Sequence, residues 1–127
     1  MILDKIYMPH INSTEFGSIT IDSKKYGQVV IVGDKVVERE YDRLKKLFGT
    51  SHKIGDWELE ELLKDKPEII VIGTGQSGAL VVDKEIIDAI KREGIELIIE
   101  ETPQATMIYN DRVTEGKKIN ALIHTTC

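Results

Sequence analysis

A single cysteine, Cys127, is all the thiol chemistry this chain has. No intrachain disulfide can form, so the fold is expected not to depend on an oxidising compartment. Nowhere do about twenty apolar residues run together, so no membrane-spanning helix is expected. The first residues lack the basic, apolar and small-residue segments of a signal peptide, which makes a cytoplasmic location the expectation. Excess base is missing too. Seventeen Lys and Arg stand against 22 Asp and Glu, for a net charge of −5. That balance argues against sequence-independent nucleic-acid binding, which runs on neutralised phosphates. The basic pairs Lys24-Lys25, Lys45-Lys46 and Lys117-Lys118 lie scattered among acids and read as solvated surface. Repeats, low-complexity stretches and Pro/Ser linkers are absent, so residues 1–127 read as a single domain sharing one core.

What the chain does contain is patterned apolar sequence. Residues 1 to about 40 read as β. From Phe16 to Ile21, Ile19 and Ile21 share one face while Ser18 and Thr20 share the other. Asp22–Gly27 reads as a polar loop. Gln28–Val32 suits a strand covered on both faces, and Gly33-Asp34 then predicts a two-residue hairpin of type II′ or I′. Between Tyr41 and Lys53 the helical spacing of Leu44, Leu47 and Phe48 is short and ends at Gly49. Asp56 reads as the N-cap of a helix over Trp57–Lys64.

Beyond Pro67 the pattern is regular. Glu68–Ile72 is an apolar strand, and Asp83 caps a helix running through Glu93 with Ile86, Ile87 and Ile90 inward and Gly94 closing it. Ile95–Glu100 is the next strand. Thr102 reads as the cap of a helix beginning at Pro103, carrying Ala105, Ile108 and Tyr109 inward and stopping before Gly116. Ile119–Ile123 closes the chain as a final strand. Strands separated by helices imply parallel pairing with right-handed crossovers. The predicted class is α/β: one compact layered domain with a mixed central sheet, a C-terminal βαβαβ unit and an additional N-terminal β layer.

Parallel pairing would bring the loops after Ile72 and Glu100 to one edge of the sheet, where open α/β sheets bind ligands. Gly73, Thr74, Gly75, Ser77 and Thr102 are therefore the candidate ligand-binding residues, a set able to hold a carboxylate or phosphate. Gly73-Thr74-Gly75-Gln76-Ser77-Gly78 spells a dinucleotide fingerprint, with Glu100 near where a ribose-binding acid would lie. Against that, Ala79–Val82 intervene before the next helix, and no second βαβ half or substrate domain follows. Positive φ and close helix–strand approach explain the glycines without a ligand. No cofactor is expected. His124 and Cys127 offer only two metal ligands, Ser77 does not sit in a nucleophile elbow, and Glu100 and Glu101 point to opposite faces of a strand. No catalytic set emerges.

The string Pro67–Gly75, then Gly94-Ile95-Glu96, Thr102–Ala105, Tyr109-Asn110, Glu115-Gly116-Lys117 and Ala121–Cys127 resembles the small domain shared by mitochondrial complex I assembly factor 3, adipogenesis-associated proteins and archaeal proteins of unknown function. Phe16–Ile19 and Ser51–Lys53 ahead of Trp57-Glu58-Leu59 fit as well. The resemblance implies a compact layered α/β domain and carries no catalytic residues across. Together with the missing catalytic set, it makes a non-enzymatic cytosolic adaptor or assembly-type domain the leading expectation. Such a domain would act through protein contacts, either with an unidentified partner or as a homo-oligomer. The alternative is a small anionic-ligand binder, or an enzyme of unrecognised type, using the Gly73–Gly78 loop and the Thr102 helix N-terminus.

Overall fold

The computed structural model describes Tyr7–Cys127, and the reading of residues 1–6 as β lies outside the described residues. Strand β1 (Ile11–Glu15) turns at Phe16-Gly17 into β2 (Ser18–Ile21), which pairs with β3 (Lys24–Tyr26) to make a three-stranded antiparallel sheet. The Asp22–Gly27 segment is therefore not simply a loop. Asp22 and Ser23 both take positive φ, 49° and 67°, forming a two-residue hairpin turn whose twist matches the flanking strands. Ile19 and Ile21 are buried, as the period of two requires, whereas Phe16 belongs to the turn and is exposed.

β4 (Val29–Val32) and β5 (Lys35–Glu38) form the expected hairpin, with Gly33 at φ 59° and no positive φ at Asp34, the II′ alternative. Helix α1 (Tyr41–Phe48) follows and ends at Gly49 in the left-handed region. α2 (Asp56–Leu62) starts one residue earlier than expected. Gly55, not Asp56, is the N-cap, and the Glu58 carboxylate reaches back to the Gly55 N–H at 3.0 Å.

The remaining elements are β6 (Ile69–Thr74), α3 (Lys84–Arg92), β7 (Glu96–Glu100), α4 (Thr102–Thr114) and β8 (Ile119–His124). The second sheet has the order β5-β4-β8-β6-β7, with β6 parallel to both β7 and β8 and β4 antiparallel to β8. The chain steps from β6 outward to β7, then back past β6 to β8. Crossovers of constant hand in opposite directions place their helices on opposite faces, and α3 and α4 do lie on opposite faces.

Three layers result. On one face, Ile19 and Ile21 of the small sheet meet Ala105 and Tyr109 of α4 over Ile31, Val71 and Ile123. On the other, Leu62 of α2 and Ile86 and Ile90 of α3 pack over Val32, Ile70 and Leu122. Alternate residues of one strand thus feed two cores, which is why β4, β6 and β8 are buried throughout. Polar side chains join the layers. Asn120, fully buried on β8, donates to the carbonyls of Leu62 and Lys64 and accepts from the Gly33 N–H, tying the end of α2 to the β4–β5 turn. Asn110 of α4 pairs with both backbone groups of Ile11, holding β1 against the helix.

Candidate functional site

Because β6, β7 and β8 run the same way, the Gly73–Gly78 loop and the start of α4 do share a rim. The two are bonded to each other: Gly75 N–H donates to Thr102 Oγ1 and Thr102 N–H donates to the Gly75 carbonyl, both at 2.9 Å. Thr102 does not cap its own helix. Glu101 holds the N-cap position, while the Thr102 hydroxyl turns into the sheet and donates to the His124 carbonyl at 2.5 Å. Thr74 donates to the Glu100 carbonyl. Gly73 is buried where α4 crosses β6, and a Cβ there would meet Thr102 Oγ1 at 2.9 Å. Ser77 is exposed.

The last residues of the chain fill this rim. Gln76 N–H donates to the Thr126 carbonyl at 2.7 Å, and Ser77 and Ala79 N–H donate to the Cys127 backbone oxygen at 3.0 and 2.9 Å. Gly75, at φ 110°, lies directly under the Cys127 backbone, where a Cβ would collide with it. The glycine motif thus serves a tight turn, a close helix crossing and a seat for the chain's own backbone. Its N–H groups converge on oxygens, as in an anion nest, but the oxygens belong to residues 126 and 127.

Beside this rim lies a buried polar knot that the sequence did not single out. Arg39, just past β5, uses all five guanidinium donors. Nε and Nη2 grip Glu58 at 2.7 and 2.9 Å, Nη2 also reaches the Lys53 carbonyl at 2.7 Å, and Nη1 reaches Gln28 Oε1 at 2.9 Å and the Ser51 carbonyl at 3.1 Å. Its partners come from the start of β4, the α1–α2 connection and α2. His124 Nδ1 sits against the same Gln28 Oε1 at 2.5 Å. Since that oxygen only accepts, Nδ1 carries the proton and Nε2 is left to accept from Thr126 Oγ1 at 3.1 Å. Burial, then the Arg39 charge, then His52 push the His124 pKa down to about 4, so the ring is neutral at pH 7. The Arg39 guanidinium has no free donor left to offer a substrate.

Over the Arg39–Glu58 pair opens a groove between β5, α1 and α2, with a cavity of about 380 Å³ bounded by Val30, Val37, Glu38, Arg43, Trp57 and Glu61. It continues past Trp57 into a second depression lined by Leu47, Phe48, Asp56 and Glu60. Leu44 is the one residue α1 buries, so Leu47, Phe48 and Tyr41 remain exposed, as does Val37 on β5. The Arg43 guanidinium lies 3.9 Å from the centre of the Trp57 ring, between the two depressions. Leu44, Leu47 and Phe48 were legible as a helical set. The signal that could have exposed the groove is that a helix this short has more large apolar residues than one buried face can use.

Among the described residues, no group of three or more His, Cys, Asp or Glu side chains could hold a metal ion, and no helix is long and apolar enough to cross a membrane. Layering, topology and a rim closed by the chain's own backbone define a small three-layer α/β domain of mixed sheet. Over residues 11–124 the chain matches the family described as Protein of unknown function (DUF498/DUF598), and it belongs to that family. It is similar to a conserved hypothetical protein, PH1505, from Pyrococcus horikoshii OT3, at 30% identity and a TM-score of 0.78, covering 92% of this chain and 98% of that one. It is also similar to a protein called MT938, at 32% identity and a TM-score of 0.76, covering 94% of this chain and 99% of that one. An outer membrane protein from Bartonella henselae shares the fold, with a TM-score of 0.77 at 15% identity, covering 98% of this chain and all (100%) of that one.

Proposed function

We propose that this chain is a non-enzymatic adaptor or assembly-type domain of the cytoplasm that acts through protein contacts, and that its contact face is the α1–α2–β5 groove. The observation that carries this reading is the exposure of Val37, Leu47 and Phe48 around a half-buried Trp57, above an Arg39 guanidinium whose donors are all engaged. Contiguous apolar surface with aromatic and Arg residues at its centre is the composition of protein interfaces. A photo-cross-linking residue at Leu47 should give discrete protein adducts in extract of the source cells. The same residue at Met107, exposed on α4 in the opposite layer, should give none. Equal labelling from both positions, or from neither, would refute the assignment.

The alternative is an anion site formed by Gly73, Thr74, Gly75, Ser77 and Thr102. It would require residues 126 and 127 to leave the loop N–H groups they now satisfy. A thermal-shift screen with nucleotides, phosphates and carboxylates tests it. A saturable rise in melting temperature, lost in Thr102→Val with the fold intact, would favour this reading over the first.

A further inference from the structure

We infer that the groove takes a basic segment of a partner protein, one that presents apolar side chains flanked by Lys or Arg. This rests on the protein-contact reading above and adds the chemistry of the partner.

Charge is the first argument. Along the two depressions stand six carboxylates, those of Glu38, Glu40, Asp56, Glu58, Glu60 and Glu61, against only two guanidiniums, those of Arg39 and Arg43. Along these two depressions the lining therefore carries an excess of negative charge. Several of these acids are already engaged: Glu58 with Arg39, Glu40 with Arg43, and Glu61 with Lys64. Asp56 and Glu60 form no ion pair among the described residues, and they flank Trp57 beside Leu47 and Phe48. Two unneutralised carboxylates next to exposed apolar rings ask for an occupant that is both cationic and apolar. An acidic segment or an anionic membrane would be repelled.

The second argument is that the chain already carries a stand-in for this ligand. Arg43 projects from α1, pairs with Glu40 at 3.4 Å and lays its guanidinium over the Trp57 face. An incoming Lys or Arg would make the same two interactions, with a carboxylate and with an indole face. Arg43 is exposed and the pair it forms is weak, so it can swing aside.

Trp57 is the only tryptophan in the chain, so its fluorescence reports on this groove alone. The full chain is titrated with a synthetic amphipathic peptide of leucine and lysine at ~0.15 M salt, where surface charges more than about 8 Å apart are screened. A saturable change in Trp57 emission is expected. The same peptide with glutamate in place of lysine should produce none, and oligolysine without leucine only a weak change that salt abolishes. Glu60→Lys should weaken binding roughly tenfold, the scale of a reversed charge at an interface rim. Glu96→Lys, on the exposed start of β7, should leave it unchanged. Arg43→Ala, which removes the internal competitor, should tighten binding about threefold by freeing the indole face.

Equal binding of the leucine–glutamate peptide would overturn the basic-partner inference while leaving a protein-contact groove standing. Equal loss of affinity in Glu60→Lys and Glu96→Lys would reduce the effect to net charge and also overturn it. Silence of every peptide together with silent cross-linking at Leu47 would remove both readings. A concentration-dependent dimer, seen by sedimentation and lost in Leu47→Ser, would assign the groove to a second copy of the chain instead.

Discussion

Two buried side chains carry polar groups whose fate can be tested singly. Tyr109 is fully buried, its hydroxyl has no hydrogen-bond partner among the described residues, and burial holds its pKa above the ordinary tyrosine value. Removing an unsatisfied buried hydroxyl relieves its desolvation. Tyr109→Phe should therefore be neutral or more stable by up to about 1 kcal/mol in urea unfolding. A clear loss of stability would reveal a partner for the hydroxyl. His124 behaves differently. Its folded value of about 4 lies below the ordinary 6.5, so between those pH values the unfolded chain binds a proton that the native state refuses. Its contribution is present above pH 6.5, is lost as the pH falls, and levels off below about 4. The total loss should be on the order of 2 kcal/mol, discounted for screening by solvent close to the ring. Denaturant melts across that window should show this slope in the native chain and a flatter one in His124→Gln.

At the scale of elements, the loop after β6 and the last residues of the chain act as one unit, because the amides of Gln76, Ser77 and Ala79 are satisfied only by residues 126 and 127. Gly75→Ala places a methyl group against the Cys127 backbone at a φ of 110°. It should cost about 1–3 kcal/mol for the strained backbone and speed hydrogen exchange at those three amides, with the amides inside α3 unaffected. Unchanged exchange there would mean that the loop holds itself without the terminus. Helix boundaries shifted for similar local reasons. Thr102 gave its hydroxyl to the sheet and not to its own helix, and Gly55 with the Glu58 carboxylate displaced Asp56 from the cap.

Across the whole molecule, the Arg39–Glu58 pair links the start of β4, the α1–α2 connection and α2, and both of its side chains are almost completely buried. Breaking such a pair strands a charge, so Arg39→Met should destabilise by about 3–5 kcal/mol. Arg39→Met combined with Glu58→Leu should recover much of that, because no lone charge remains buried. A double variant as unstable as the sum of the singles would show that the carbonyls of Ser51 and Lys53, left without a donor, carry most of the cost. Either result measures what holds the floor of the groove.

Read alone, the sequence determined the class of fold, the alternation of strands and helices after Pro67, the Gly33-Asp34 hairpin and the two-sided burial of β4. Each of these follows from apolar period and turn chemistry within a short window. The Asp22-Ser23 turn escaped because nothing local announces two non-glycine residues at positive φ. The rim shared by Gly75 and Thr102 was legible from parallel pairing, but its occupant was not, since residues 126 and 127 lie some fifty positions further along. Nothing in the local sequence marks Arg39 or Glu58 as buried. Only tertiary structure, by closing three segments around a guanidinium and leaving α1 half covered, decided that one charge pair would be buried and that the apolar face beside it would stay open.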